Sequence, residues 1–437
     1  MKRIIKSDLI VLPNGIFDGY IIIENGKIAE ITEKRPEGEI IDATGSYVMA
    51  GFIDIHTHGG GGFSFTESSP DEIVDGCVFH MTHGTTTIVP TVTTGPFPIM
   101  REAVKNIAIA KQNPLARNLF GAHMEGPYLS PAQCGAQAPG HITEPKPEEY
   151  ISLLEETGDT IVRWTYAPER DKDSKFCRFL KDHGIVASAG HTDAKYEDMA
   201  LAIENGLSLV THLYSCTSTV TRDHGFRSLG VIESTFLRDE LYAEIIADGK
   251  HLPPDLVRMI VKIKGIDRVV AVTDSLSVAG SPATCGVMSG VEYIIEDGVA
   301  KLTDRSAFAG SIATTDRLVR TVVAAGIPLA DAVKMASETG YKPNTLVLSP
   351  YAFNALKNHE DILDRIKYTQ KGIVTADLLA TLFEVEHVYV AWSVVNSAAK
   401  GEDDKIDFIF GNHALLCYSN PRPALKKPSA GYIFAWT

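Results

Sequence analysis

The chain has 437 residues, 44% hydrophobic and 22% charged, which suits a soluble globular protein with a large core and more than one domain. A formal net charge of -14 argues against a nucleic-acid partner, which needs a basic face, and no apolar run is long enough to span a bilayer. The opening residues carry no signal-peptide pattern, and six scattered cysteines (Cys77, Cys134, Cys177, Cys216, Cys285 and Cys417) without a CxxC pair fit free thiols in a reducing cytoplasm.

Short strands are expected at Leu9–Leu12, Asp18–Glu24, Lys27–Ile31, Glu39–Ala43 and Tyr47–Met49. Asn14-Gly15 and Asn25-Gly26 are hairpin dipeptides between them, because both residue types tolerate positive φ. Residues 1–50 therefore read as a small N-terminal β domain. From Gly51 the pattern changes to apolar strands separated by helical stretches such as Ala194–Asn205 and Pro254–Ile263. The predicted strands are Phe52–His56, Thr86–Thr91, Leu119–Met124, Val162–Tyr166, Val186–Gly190, Leu209–Leu213, Ala243–Ala247 and Val269–Val272. Eight β-α repeats predict an α/β fold, a closed TIM (β/α)8 barrel over residues 51–337. Beyond Ser337 the repeats stop. Helices are expected at Ala352–Asn358, Asp361–Tyr368 and Thr375–Phe383, and strands at Val385–Ala391 and Lys405–Phe410, so residues 338–437 read as a separate α+β segment.

Chemistry concentrates at the carboxyl ends of the barrel strands, where such folds carry their sites. Asp54-Ile55-His56-Thr57-His58 closes the first strand, and alternation along a strand points His56 and His58 to the same side, where they can grip one metal ion. A pair of ordinary strand histidines is the alternative. Glu125 follows the third strand, and a carboxylate there is costly to bury unless paired or metal-bound. His191 ends the fifth strand and His212 the sixth, which with Glu125 makes a three-ligand catalytic set. With His56 and His58 there are enough ligands for two ions bridged by Glu125. Asp274, after the eighth strand, is placed to take a proton from an activated water and pass it to a leaving amine, although Asp also commonly starts helices. Gly59-Gly60-Gly61-Gly62 would let backbone approach a ligand. His251 could contact a sugar hydroxyl or phosphate, and Arg222, His224 and Arg227 could hold an anion. His80, His83 and His183 fall on helical segments and read as structural.

GFIDIHTHGGGG, HMEGPYLSPAQCGAQ, SAGHTDA, THLYS, IIADGKH, VTDSL and Phe308-Ala309-Gly310-Ser311, in that order, make residues 1–337 resemble the N-acetylglucosamine-6-phosphate deacetylases of the amidohydrolase superfamily. The resemblance implies Glu125, His191 and His212 as core metal ligands, His56 and His58 as ligands of a second position, and Asp274 as general base and acid. It implies one or two divalent ions per subunit, zinc first, with iron, cobalt or manganese as alternatives, an amino-sugar phosphate as substrate, and a homodimer. Two departures bear on substrate binding. Gln137 stands where many relatives have a histidine thought to polarise the acetyl carbonyl, and Ser215-Cys216 replaces Asn-Ala. The rival reading within the superfamily is a cyclic-amide hydrolase or deaminase; many of these bridge two ions through a modified lysine on the fourth strand, and Val162-Arg163-Trp164-Thr165-Tyr166 has none. Nothing after Ser337 resembles the family's usual ending. Residues from about 340 to 437 instead resemble the C-terminal part of tailed-phage major capsid proteins, through PNTLVLSPYAFNALKNHEDILDRIKYT, VEHVYVAWSVVNSAAKGE and KKPSAGYIFAW. A structural assembly subunit is therefore the alternative from another functional class.

Overall fold

The computed structural model describes residues 2–24 and 26–337, and in the remainder 345–348, 350–358, 375–376, 379, 387–390, 394–396, 406–408 and 414–417. The chain divides into two compact units, Met1–Gly340 and Tyr341–Thr437.

The first unit begins with a five-stranded sheet: β1 (Lys2–Leu12), β2 (Gly15–Glu24), β3 (Lys27–Thr32), β4 (Ile40–Asp42) and β5 (Tyr47–Val48). β1 is central, antiparallel to β2 and parallel to β4 and β5. Its length exceeds the expected Leu9–Leu12 because Lys2–Ser7 also pair with β2, where buried Ile4 faces Ile22.

β6 (Phe52–Thr57) starts the barrel, followed by a short ladder of β7 (Gly59–Gly60) and β8 (Phe63–Ser64). Then come β9 (Thr85–Val92), β10 (Ala122–Glu125), β11 (Ile161–Tyr166), β12 (Val186–Ala189) and β13 (Leu207–Val210). A hairpin of β14 (Thr221–Asp223) and β15 (Phe226–Ser228) precedes β16 (Tyr242–Ile246) and β17 (Val269–Val272). All eight expected barrel strands form, paired in parallel from β6 round to β17. Backbone bonds from Asp274 N–H to His56 O (2.9 Å) and from His58 N–H to Ser275 O (2.8 Å) join the last strand's end to the first's. The Thr273 hydroxyl donates to Asp54 Oδ2 (2.6 Å) at the same seam. The fold is thus a nearly closed TIM-like barrel.

Helices α1 (Pro70–Thr82), α2 (Phe97–Ala110), α3 (Pro147–Thr157), α4 (Lys175–Asp182), α5 (Tyr196–Glu204), α6 (Val231–Leu237) and α7 (Pro254–Lys264) lie between the barrel strands. Their apolar faces and the strands form one continuous core that includes Ile73, Met100, Leu153, Trp164, Leu180 and Ile260. After β17 comes a four-stranded antiparallel sheet of β18 (Cys285–Met288), β19 (Val291–Glu296), β20 (Val299–Leu302) and β21 (Phe308–Gly310). This sheet was not expected: Cys285–Met288 and Phe308–Gly310 are too short to stand out by alternation alone. α8 (Thr315–Ala324) and α9 (Leu329–Met335) bring the chain back, so that Ala336 O accepts from Ile53 N–H (2.8 Å) at the start of β6.

Lys264, at the end of α7, donates its ammonium to Arg238 O (2.6 Å). Burial pushes its pKa down to about 8. A base depressed in the folded state contributes stability that is present above its unfolded pKa and lost as pH falls through the folded value. The melting temperature of the wild type, relative to Lys264→Met, should therefore rise between pH 8 and pH 10.5. A pH-independent difference would refute this.

In the second unit, β22 (Thr345–Leu348) and α10 (Pro350–Lys357) are followed by β23 (His387–Val390), β24 (Val394–Asn396), β25 (Ile406–Phe408) and β26 (Ala414–Cys417). β22 lies between β23 and β26, and β24 pairs with β25. α10 coincides with the helix expected at Ala352–Asn358, and β23 and β25 fall within the expected strands. The helix expected at Asp361–Tyr368 lies outside the described residues, as does most of the one at Thr375–Phe383.

Candidate metal-dependent active site

Six of the residues singled out by sequence converge at the carboxyl end of the barrel. His56 ends its run inside β6, His58 follows that strand, and Glu125 is the last residue of β10. His191, His212 and Asp274 each stand two residues beyond β12, β13 and β17. All three adopt left-handed backbone, with φ of 47°, 29° and 47°. Such conformations are costly for residues other than glycine, and they bend the chain sharply as it leaves each strand. Gly126 relaxes the same demand after Glu125: its φ is 84°, and an added Cβ would lie 2.1 Å from Thr94 Oγ1. The Trp164 indole N–H donates to Gly126 O (2.8 Å), tying that turn to β11.

The ligand atoms form two groups around one carboxylate. His56, His58 and Glu125 make the first and Glu125, His191 and His212 the second, each with its ligand atoms within 4.8 Å of one another. Glu125 Oε1 lies 3.2 Å from His191 Nε2 and 3.1 Å from His212 Nε2, while Oε2 lies 3.2 Å from His58 Nε2. Asp274 Oδ1 is 3.2 Å from His58 Nε2 and 3.5 Å from His56 Nε2.

Two observations fit a cation here. His191 Nε2 and His212 Nε2 face each other at 3.2 Å, an arrangement that a shared positive ion favours and two lone pairs do not. His56 Nε2 is fully buried without a hydrogen-bond partner, aimed among the carboxylates. The outer nitrogens are held as metal-ligating imidazoles usually are. His56 Nδ1 meets Glu244 Oε1 at 2.8 Å, His58 Nδ1 meets Thr93 Oγ1 at 2.7 Å, and His191 Nδ1 meets Gln133 O at 3.0 Å.

The charges are strongly coupled. Burial opposes protonation of His56, but the carboxylates of Glu244, Glu125 and Asp274 outweigh it and lift its pKa to about 10. Burial alone would raise the carboxyls of Glu125 and Asp274, yet the surrounding imidazoles hold both below the usual range. The group is a negative well lined with imidazoles. Divalent cations favour such wells and displace the imidazole protons on binding.

A cavity of about 270 Å³ opens onto this cluster. Gln137, Ser215, Cys216 and His251 line it, together with Met288 and Phe308. The cavity wall from β18 to β21 was missed in the sequence. Gln137 is committed at both ends, its amide N–H donating to Glu125 Oε2 (2.6 Å) and its oxygen accepting from Thr94 N–H (3.1 Å). His251 Nδ1 meets Asp248 Oδ2 at 2.9 Å, which leaves Nε2 for the cavity. Arg222, His224 and Arg227 sit on the exposed β14–β15 hairpin and do not line this cavity.

The glycine run corrects an expectation. Gly59 and Gly60 are buried, and a Cβ on Gly59 would lie 2.2 Å from Phe63 O, so backbone packing rather than ligand approach explains the small residues. His80 Nε2–H donates to Gly59 O (3.0 Å), as a structural histidine. Phe308-Ala309-Gly310-Ser311 braces the seam: Ser311 N–H donates to Asp274 O (2.8 Å). Sequence reasoning also missed Arg163 and Glu244, whose signal was a single charge inside each of two apolar strands.

The amidohydrolase family model matches residues 47–345, and the chain belongs to that family. An N-acetylglucosamine-6-phosphate deacetylase of Bacillus subtilis is 32% identical over 71% of this chain and 79% of its own length. An N-acetylgalactosamine-6-phosphate deacetylase of a Shewanella species is 30% identical over 74% of this chain and 80% of its own. The crystal structure of N-acetyl-D-glucosamine-6-phosphate deacetylase from Mycobacterium smegmatis superposes with a TM-score of 0.71 at 29% identity, covering 76% of this chain and 88% of that one.

Proposed function

We propose that this chain hydrolyses the acetamide of N-acetyl-D-glucosamine 6-phosphate to D-glucosamine 6-phosphate and acetate. The observation that carries the reading is the pair of imidazole groups sharing Glu125 beside Asp274, in a chain similar to curated deacetylases. Glu125, His191 and His212 would hold one divalent ion, and His56, His58 and Glu125 a second. When bound, such an ion supplies Lewis acidity for an amide carbonyl and lowers the pKa of water toward neutrality. The residues perform the rest. Asp274, ionised, accepts a proton from the attacking water at its carboxylate and returns it to the departing amine nitrogen. His251, oriented by Asp248, presents Nε2 to the sugar or its phosphate. Gln137 acts on Glu125 and shapes the acetyl end, while Ser215 and Cys216 border the sugar. Arg222, His224 and Arg227, which do not line the cavity, are proposed as phosphate contacts on the family resemblance alone.

Zinc is the ion this reading favours, with iron, cobalt and manganese also suited to nitrogen and carboxylate ligands. A homodimer is proposed from the family resemblance, and a cytoplasmic setting from the scattered cysteines, of which Cys77, Cys134, Cys177, Cys216 and Cys285 are free. The capsid-like reading of residues 338–437 is supported by sequence motifs alone and concerns the second unit, not the chemistry. Acetate release from N-acetylglucosamine 6-phosphate, N-acetylgalactosamine 6-phosphate and unphosphorylated N-acetylglucosamine tests the substrate. The first should be turned over fastest and the last at least tenfold slower, because it lacks the anion that the charged contacts recognise. Equal rates on all three would refute the phosphate reading, and no release from any would refute the deacetylase.

A further inference from the structure

We propose that Glu244, locked by Arg163, is the positioning residue that makes His56 a metal ligand and so sets occupancy at the position formed by His56, His58 and Glu125. The inference rests on the metal-centre reading above and names a determinant outside the ligand shell. Neither residue lines the cavity, and both lie inside the barrel, on β16 and β11, with Glu244 fully buried and Arg163 nearly so.

Arg163 is fixed to four strand regions. Its Nε donates to Ser188 Oγ (3.0 Å), its Nη1 to Ile55 O (3.0 Å), and its Nη2 to Thr211 Oγ1 (2.9 Å), while Nη1 also pairs with Glu244 Oε2. Glu244 therefore has one orientation. Its other oxygen, Oε1, accepts from His56 Nδ1 (2.8 Å) and from the backbone N–H of His212 (3.1 Å). An ionised carboxylate only accepts, so the hydrogen of the neutral His56 ring must sit on Nδ1. That leaves the Nε2 lone pair facing Glu125 and Asp274, where it has no protein partner. Stability alone does not account for the pair, because a buried ion pair commonly gains little over apolar residues of similar volume.

The test is competitive zinc titration of the metal-free full-length chain, with ions per chain counted by elemental analysis. In Glu244→Gln, Arg163 claims the single amide oxygen, the NH2 turns to His56, and hydrogen on Nε2 becomes the favoured tautomer. Affinity at one position should fall about tenfold to a hundredfold. Affinity at the other position should fall less, since Glu244 reaches it only through the His212 backbone N–H, and the circular dichroism spectrum should be unchanged. A folded variant with wild-type stoichiometry and affinities overturns the proposal. If the amide variant does not fold, Glu244→Asp is titrated instead, since it keeps the charge near Arg163 but draws the carboxylate back from His56; it should show the same selective loss, and undiminished binding is again fatal. Substrate takes no part, so a failure here leaves the deacetylase reading standing, and failure of that reading leaves this result interpretable.

Discussion

Replacing Asp274 with asparagine is expected to lower kcat for acetate release by about 10²–10⁴-fold, the usual worth of a positioned general acid–base group. Asparagine keeps the size of the side chain and can still accept a hydrogen bond from His58, whose Nε2 lies 3.2 Å from Asp274 Oδ1. It cannot take a proton from water or return one to the amine. KM should change much less than kcat, since Asp274 acts on the reacting atoms rather than on the sugar. Elemental analysis must accompany the kinetics, because Asp274 also faces both histidines of the first group. A variant that retains its metal and turns over within tenfold of wild type would exclude Asp274 as the proton-transfer group.

The second large effect is expected at Glu125. Its carboxylate belongs to both ligand groups, so Glu125→Gln removes an anionic ligand from each at once. Bound metal should fall to background and acetate release with it. His212→Ala, by contrast, touches only one group and should leave part of the metal in place. Stability offers an independent readout, since an ion at a hundredfold its Kd stabilises a folded chain by about 2.7 kcal/mol. Added zinc should therefore raise the melting temperature of the wild type and leave that of Glu125→Gln unmoved. A variant that still binds two ions would show that Glu125 is not their shared ligand.

The barrel was legible because its strands are apolar runs separated by amphipathic helical stretches, a pattern that burial on both faces imposes. The residues gathered at the barrel mouth were legible because each interrupts that pattern at a strand end and because the surrounding motifs resemble one family. What escaped has physical reasons. β18–β21 are short strands that pair only with one another, and their alternation is weak. Arg163 and Glu244 looked like isolated charges, since nothing in a linear sequence says that β11 and β16 project side chains toward a common axis. Asp248 drew no reading of its own, although it orients His251. The exposure of Arg222, His224 and Arg227 on a hairpin was equally hidden, because their spacing fits a loop or a hairpin alike.

The meeting of α9 with the foot of β6, through Ala336 O and Ile53 N–H, has a consequence for modularity. The barrel is a ring whose two covalent attachments emerge side by side, at the end of the strands opposite to the ligands. Segments joined at either attachment can differ in length and origin without rerouting any strand through the reaction chamber. The residues at the mouth are therefore remote from both points at which other segments join the barrel.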